Sequence, residues 1–185
     1  MKRMNRLAAG LMIAALISGC AGTTAAPKES TQNSTNTVSE SGSTQDYTQL
    51  KDALKKEGFT FSETTGEDGA LVIDALNDEG SVTITVYSYE NSQKTREAYV
   101  HEVDLLKDQQ YQEIDDSDTD TQEVSFYMND YNNVYTTLAA DSSQKVLYVF
   151  EDYLPGNRKA VDSVLNEIGF AGERDFDDND KDIDD

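Results

Sequence analysis

The chain has 185 residues, with 15 lysines and arginines against 36 acids, a formal charge of −21 at pH 7, one histidine and one cysteine. So negative a surface repels phosphate backbones, which excludes nucleic acid as a partner. One cysteine rules out a disulfide within the chain, and one histidine beside it rules out a histidine-rich zinc centre.

Residues 1–6 carry Lys2, Arg3 and Arg6, and residues 7–17 form an uncharged apolar stretch of 11 residues. At about 1.5 Å per residue that stretch is too short to span a bilayer, but it has the length of a signal-peptide core. Ile17-Ser18-Gly19-Cys20 follows at once. An aliphatic residue, two small residues and a cysteine in that order resemble the lipobox of bacterial lipoproteins. The resemblance covers residues 1–20. It implies a signal peptide over 1–19, cleavage before Cys20, diacylglycerol on the Cys20 thiol and attachment to the extracytoplasmic face of a cell membrane. Two or three acyl chains, palmitate among them, anchor stably where one does not. Cleavage would remove three bases and no acid, leaving 12 bases against 36 acids and a charge of −24.

Residues 20–45 follow as the lipidated cysteine and a tether. Eleven of residues 21–45 are Ser or Thr, with one Val and no Leu, Ile or aromatic. Such a segment buries too little apolar surface to offset the entropy of ordering. As a coil it spans roughly 25–30 Å, a spacer that suits a Gram-positive surface.

All ten tyrosines lie between Tyr47 and Tyr153, so the folded domain is expected over 46–172. Helical spacing of apolar residues predicts three helices. The first covers 46–57, with Leu50, Ala53 and Leu54 on one face and Asp46 as N-cap; the second covers 92–108. The third covers 157–168, with Ala160, Val161, Val164, Leu165 and Ile168 as its stripe and Asn157 as its cap. Strand-like runs occupy 59–61, 70–76, 81–89, 123–128, 133–140 and 145–152. Turn chemistry at 77–80, 129–132 and 141–144 joins them as antiparallel hairpins. Each helix ends with an aromatic five residues after a leucine: Leu54 and Phe59, Leu106 and Tyr111, Leu165 and Phe170. Gly58 and Gly169 suit the left-handed stop position. The expected fold is a two-layer α+β domain, an antiparallel sheet with all helices on one face, built from two pseudo-repeated helix-plus-hairpin units. Residues 113–123 read as an acidic loop and 173–185 as an acidic tail with eight acids and two bases.

Catalytic constellations are sparse. His101 lies mid-helix beside Glu102, no Gly-x-Ser-x-Gly elbow occurs, and no glycine-rich loop precedes a Lys-Ser/Thr pair. Asp175, Asp177 and Asn179 have the spacing that opens an EF-hand loop. Asp180 stands where glycine is needed, so only weak Ca²⁺ binding is expected there. If helices cover one sheet face, strand tyrosines populate the other. Tyr87, Tyr89, Tyr127, Tyr135 and Tyr148 are therefore the expected binding surface, rimmed by the acidic loop, for another cell-surface protein or a glycan. The functional expectation is a membrane-anchored, non-enzymatic binding or accessory module. The alternatives are a small carboxylate-dependent surface hydrolase and a Ca²⁺-responsive surface protein.

Overall fold

The computed structural model describes residues 47–66 and 69–170. The signal segment, Cys20, the tether and the acidic tail with Asp175, Asp177 and Asn179 lie outside the described residues.

The described elements are α1 (Thr48–Lys56), β1 (Thr60–Thr65), β2 (Leu71–Asn77), β3 (Gly80–Ser88), α2 (Ser92–Asp108), β4 (Gln112–Asp118), β5 (Gln122–Asn129), β6 (Val134–Asp141), β7 (Val146–Tyr153) and, after a short 3₁₀ turn, α3 (Arg158–Glu167). The strands form one sheet in the order β1-β2-β3-β7-β6-β5-β4. Every neighbouring pair is antiparallel, so the domain is α+β.

The helices form where apolar spacing and stop signals agree. In α1 the buried positions are Leu50, Ala53 and Leu54, and Lys55 and Lys56 sit in the last turn, where cations complement the helix dipole. Its N-cap is Tyr47, not Asp46, and makes no side-chain cap bond. Asn91 caps α2 by accepting from the Lys94 N–H at 2.9 Å. Asn157 holds the N-cap position of α3 but makes no side-chain cap bond. It is fully buried, and its side-chain oxygen accepts from the Asn77 amide at 2.7 Å, tying the start of α3 to the β2–β3 turn.

All three helices stop in the same way. The N–H groups of Phe59, Tyr111 and Phe170 reach back to the carbonyls of Leu54, Leu106 and Leu165 at 2.9, 3.0 and 2.9 Å. Those of Gly58, Gln110 and Gly169 bond Lys55, Lys107 and Asn166. This is the paired bonding of a Schellman stop, and it places the residue before the aromatic in the left-handed region. The φ values are 81° at Gly58, 67° at Gln110 and 100° at Gly169.

The two-layer expectation does not hold, because the helices occupy both faces of the sheet. One core joins Leu50 and Leu54 of α1 and Val161, Val164 and Leu165 of α3 to Ile73, Val82, Ile84, Val124, Phe126 and Phe150. A second core joins Tyr99 and Leu106 of α2 to Tyr127, Leu138, Ala140, Leu147 and Val149. Leu147 and Val149 alternate with Val146, Tyr148 and Phe150 along β7, and all five are buried. A strand buried on both sides is apolar without alternation, and β6 and β7 have this character.

The expected acidic loop is also corrected. Residues 112–118 are β4, the edge strand paired with β5, and only 119–121 form the turn. Its ladder slips between Glu113 and Asp115. Acidic side chains and a bulge at a sheet edge discourage pairing with another chain's strand.

Candidate binding surface

Strand parity and α2 together set what is left open. On the α2 side, cross-strand rows run Thr60, Leu76, Ser81 and Ser62, Asp74, Thr83, Glu151 and Thr64, Val72, Thr85, Val149. The helix closes this face over β5, β6 and β7, where its second core lies, and leaves β1, β2 and the first half of β3 open, with Thr85 of β3 buried at the boundary. Leu76 is 56% exposed there, and Asp74 is exposed beside it. Hydroxyls bind the acids: Thr83 donates to Asp74 at 3.2 Å and Thr85 to Glu151 at 3.3 Å.

Tyr87 and Tyr89 stand at the step between the open strands and α2. Both are half-buried, pack against the α2 core and stack with ring centroids 6.5 Å apart. Burial, then the charge of Glu102 on α2, pushes the Tyr89 phenol up to about 12. The Tyr111 phenol is likewise raised to about 12, first by burial and then by its bond to Asp152. Both therefore remain protonated donors at neutral pH.

The acids of this step form a group. The Glu151 carboxyl is raised by desolvation, with Asp152 and Glu102 adding to the shift and the Thr85 hydroxyl opposing it. Asp152 sits at a register slip between β6 and β7, with φ 48° in the left-handed region. Such backbone strain in a non-glycine residue concentrates at functional positions. Little in the sequence marks this group: Glu151-Asp152 ends an apolar run, and only the fold brings Glu102 and Tyr111 to it.

The five tyrosines expected to share one surface do not. Tyr127 is fully buried beneath α2, its hydroxyl donating to Glu113 at 3.0 Å. Tyr148 pairs with Val86 and so points to the opposite face, where its ring meets the edge of Phe170. Tyr135 is on that face too, stacked on Tyr153 beneath the Arg158 guanidinium. Only Tyr87 and Tyr89 keep accessible ring surface on the side left open. Among the described residues no cluster of three or more His, Cys, Asp or Glu is arranged to hold a metal ion. No protein-family model matches the chain, and no curated protein matches it.

Proposed function

We propose that the protein is a lipoprotein held through Cys20 on the extracytoplasmic face of a cell membrane. Its domain is a non-catalytic module that docks a cell-surface protein or a glycan on the open face of β1–β3 beside α2. The observation that carries this reading is the unequal cover of the sheet: α2 closes β5–β7, while Leu76, Val72, Thr60, Thr64 and Thr83 remain accessible on the same side as Tyr87 and Tyr89. Half-fixed tyrosines offer a large contact area and a hydrogen-bonding tip with little entropy to lose on binding. The surrounding acids favour a partner that presents positive charge.

The test is affinity capture from cell-surface extracts with the full-length chain as bait. Tyr87→Ala with Tyr89→Ala should weaken retention by about 1–3 kcal/mol, roughly 5- to 150-fold. Both rings also pack against α2, so Leu76→Glu, on the same face and outside either core, serves as the second variant. Unchanged capture by both variants, each folded by circular dichroism, contradicts the proposal.

A second reading is a carboxylate-dependent hydrolase, favoured by the raised Glu151 beside Asp152 and Glu102. A carboxyl that holds its proton more firmly than usual is the kind a general acid needs. Here Glu151→Gln abolishes turnover of a bound glycan and leaves capture intact, whereas in a binding module the substitution changes neither.

A further inference from the structure

We propose a second site, independent of the open face, that takes a small oxyanion in the cleft where α2 begins. The cleft is open to solvent and offers about 570 Å³ between the first turn of α2, the β4–β5 turn and the β6–β7 turn. Ser92, Arg96, Thr121 and Lys145 are among its walls.

The charges in this cleft are unusual for the molecule. With 36 acids against 15 bases, carboxylates are in excess, and Lys51, Lys55, Lys56, Lys94 and Lys107 each have one as partner. Arg96 and Lys145 have none among the described residues, and both line this one cleft. Arg96 is held across it by donating to the Asp120 carbonyl, which leaves other guanidinium N–H groups to bind a ligand. Lys145 closes the β6–β7 turn with φ 61°, and its carbonyl accepts the Tyr89 N–H at 2.9 Å. Its backbone is thereby fixed against the entry to α2.

Asp141, four residues before Lys145, is engaged elsewhere. Asp141 is buried and accepts from the Ser143 N–H and hydroxyl at 2.9 and 2.6 Å and from the Gln144 N–H at 3.0 Å. Its other oxygen takes the side-chain amides of Gln122 and Gln144 at 3.0 and 3.2 Å. The hydroxyls of Ser92 and Thr121 have no hydrogen-bond partner among the described residues and complete the donor set. The first N–H groups of α2, at Ser92 and Gln93, precede the helical ladder and add to it.

Size and charge decide the occupant. A fork-shaped guanidinium, an ammonium and hydroxyl donors match inorganic phosphate or a phosphate monoester. An extended anionic surface would also meet the acids around the cleft. The screening length of about 8 Å at physiological salt lets the two local cations prevail only over a small ion seated between them.

The experiment titrates inorganic phosphate into the full-length chain carrying Cys20→Ala in low-salt buffer, read by amide chemical shifts. Saturable shifts confined to residues 92–96, 119–122 and 142–145 are expected, half-complete at about 1–10 mM. Arg96→Gln and Lys145→Gln, both at exposed positions, should each weaken the response at least about fivefold, and the double variant should lose it. Phosphatidylglycerol vesicles should not sediment the protein. Shifts that chloride reproduces at equal ionic strength, an unchanged response in the double variant, or vesicle binding without a phosphate response would each overturn the proposal.

Discussion

Tyr99 of α2 and Ser125 of β5 share a buried hydrogen bond of 2.6 Å, which ties the middle of α2 to the part of the sheet that its apolar core covers. Either hydroxyl can donate. Tyr99→Phe removes one of the two tyrosine hydroxyls that Ser125 meets, the other being that of Tyr127, and Ser125→Ala leaves the Tyr99 phenol buried without its partner. Each single variant should lose about 1–3 kcal/mol in chemical denaturation, and the double variant less than the sum. Additive losses would mean that the bond does not hold α2 to the sheet.

The three helix stops make a prediction about Gln110. Gly58 and Gly169 occupy left-handed positions without penalty, whereas Gln110 adopts φ 67° with a side chain present. Gln110→Gly should raise stability by up to about 1 kcal/mol. Gly58→Ala and Gly169→Ala should lower it by about 1 kcal/mol, because the strain arises whatever space is free. Thermal melts of the three variants read the signs directly.

Glu151 gives a pH dependence. Its folded-state carboxyl is raised above the ordinary value of 4.5, chiefly by desolvation and then by Asp152 and Glu102. A raised folded value means that the folded state binds the proton more readily, so this group lowers stability as pH rises from the ordinary value through the folded one. Glu151→Gln should therefore melt higher than the parent at pH 7, by a small margin because the side chain is exposed to solvent, with the difference vanishing at and below about pH 4. A higher melting temperature at pH 4 but not at pH 7 would reverse the assignment.

The excess of acids sets the response to ions. Millimolar Ca²⁺ should raise the melting temperature only modestly, and roughly 0.3 M monovalent salt should do much the same, because both screen like-charge repulsion. A large shift at micromolar Ca²⁺, removed by Asp177→Ala, would instead establish a built site in the acidic tail.

The sequence carried the α+β class, the three hairpin turns and all three helices, because apolar spacing and glycine stops are local signals. It did not carry the layer of each helix. Only Tyr99 and Leu106 of α2 are buried in a core, with Thr95 alongside, a weak stripe that does not reveal a separate face. Parity misled the tyrosines: the ladder pairs Tyr148 with Val86 and sets Tyr87 against Leu147, which sends Tyr87 and Tyr148 to opposite sides. The strand β4 was hidden because Gln112–Asp118 offers one apolar residue, Ile114, and its identity as a strand comes from pairing with β5. The cleft at Arg96 and Lys145 joins residues 49 positions apart, a distance no local pattern spans.

Photo-crosslinking in intact cells tests the central claim most directly. A photoreactive phenylalanine analogue is placed at Leu76, which is 56% exposed on the open face, or at Lys159, exposed on α3 across the sheet. The account predicts a discrete adduct from position 76 in the membrane fraction, none from position 159, and release of the adduct to the soluble fraction when Cys20→Ala is added. An adduct from position 159 alone, or membrane retention that survives Cys20→Ala, would contradict it.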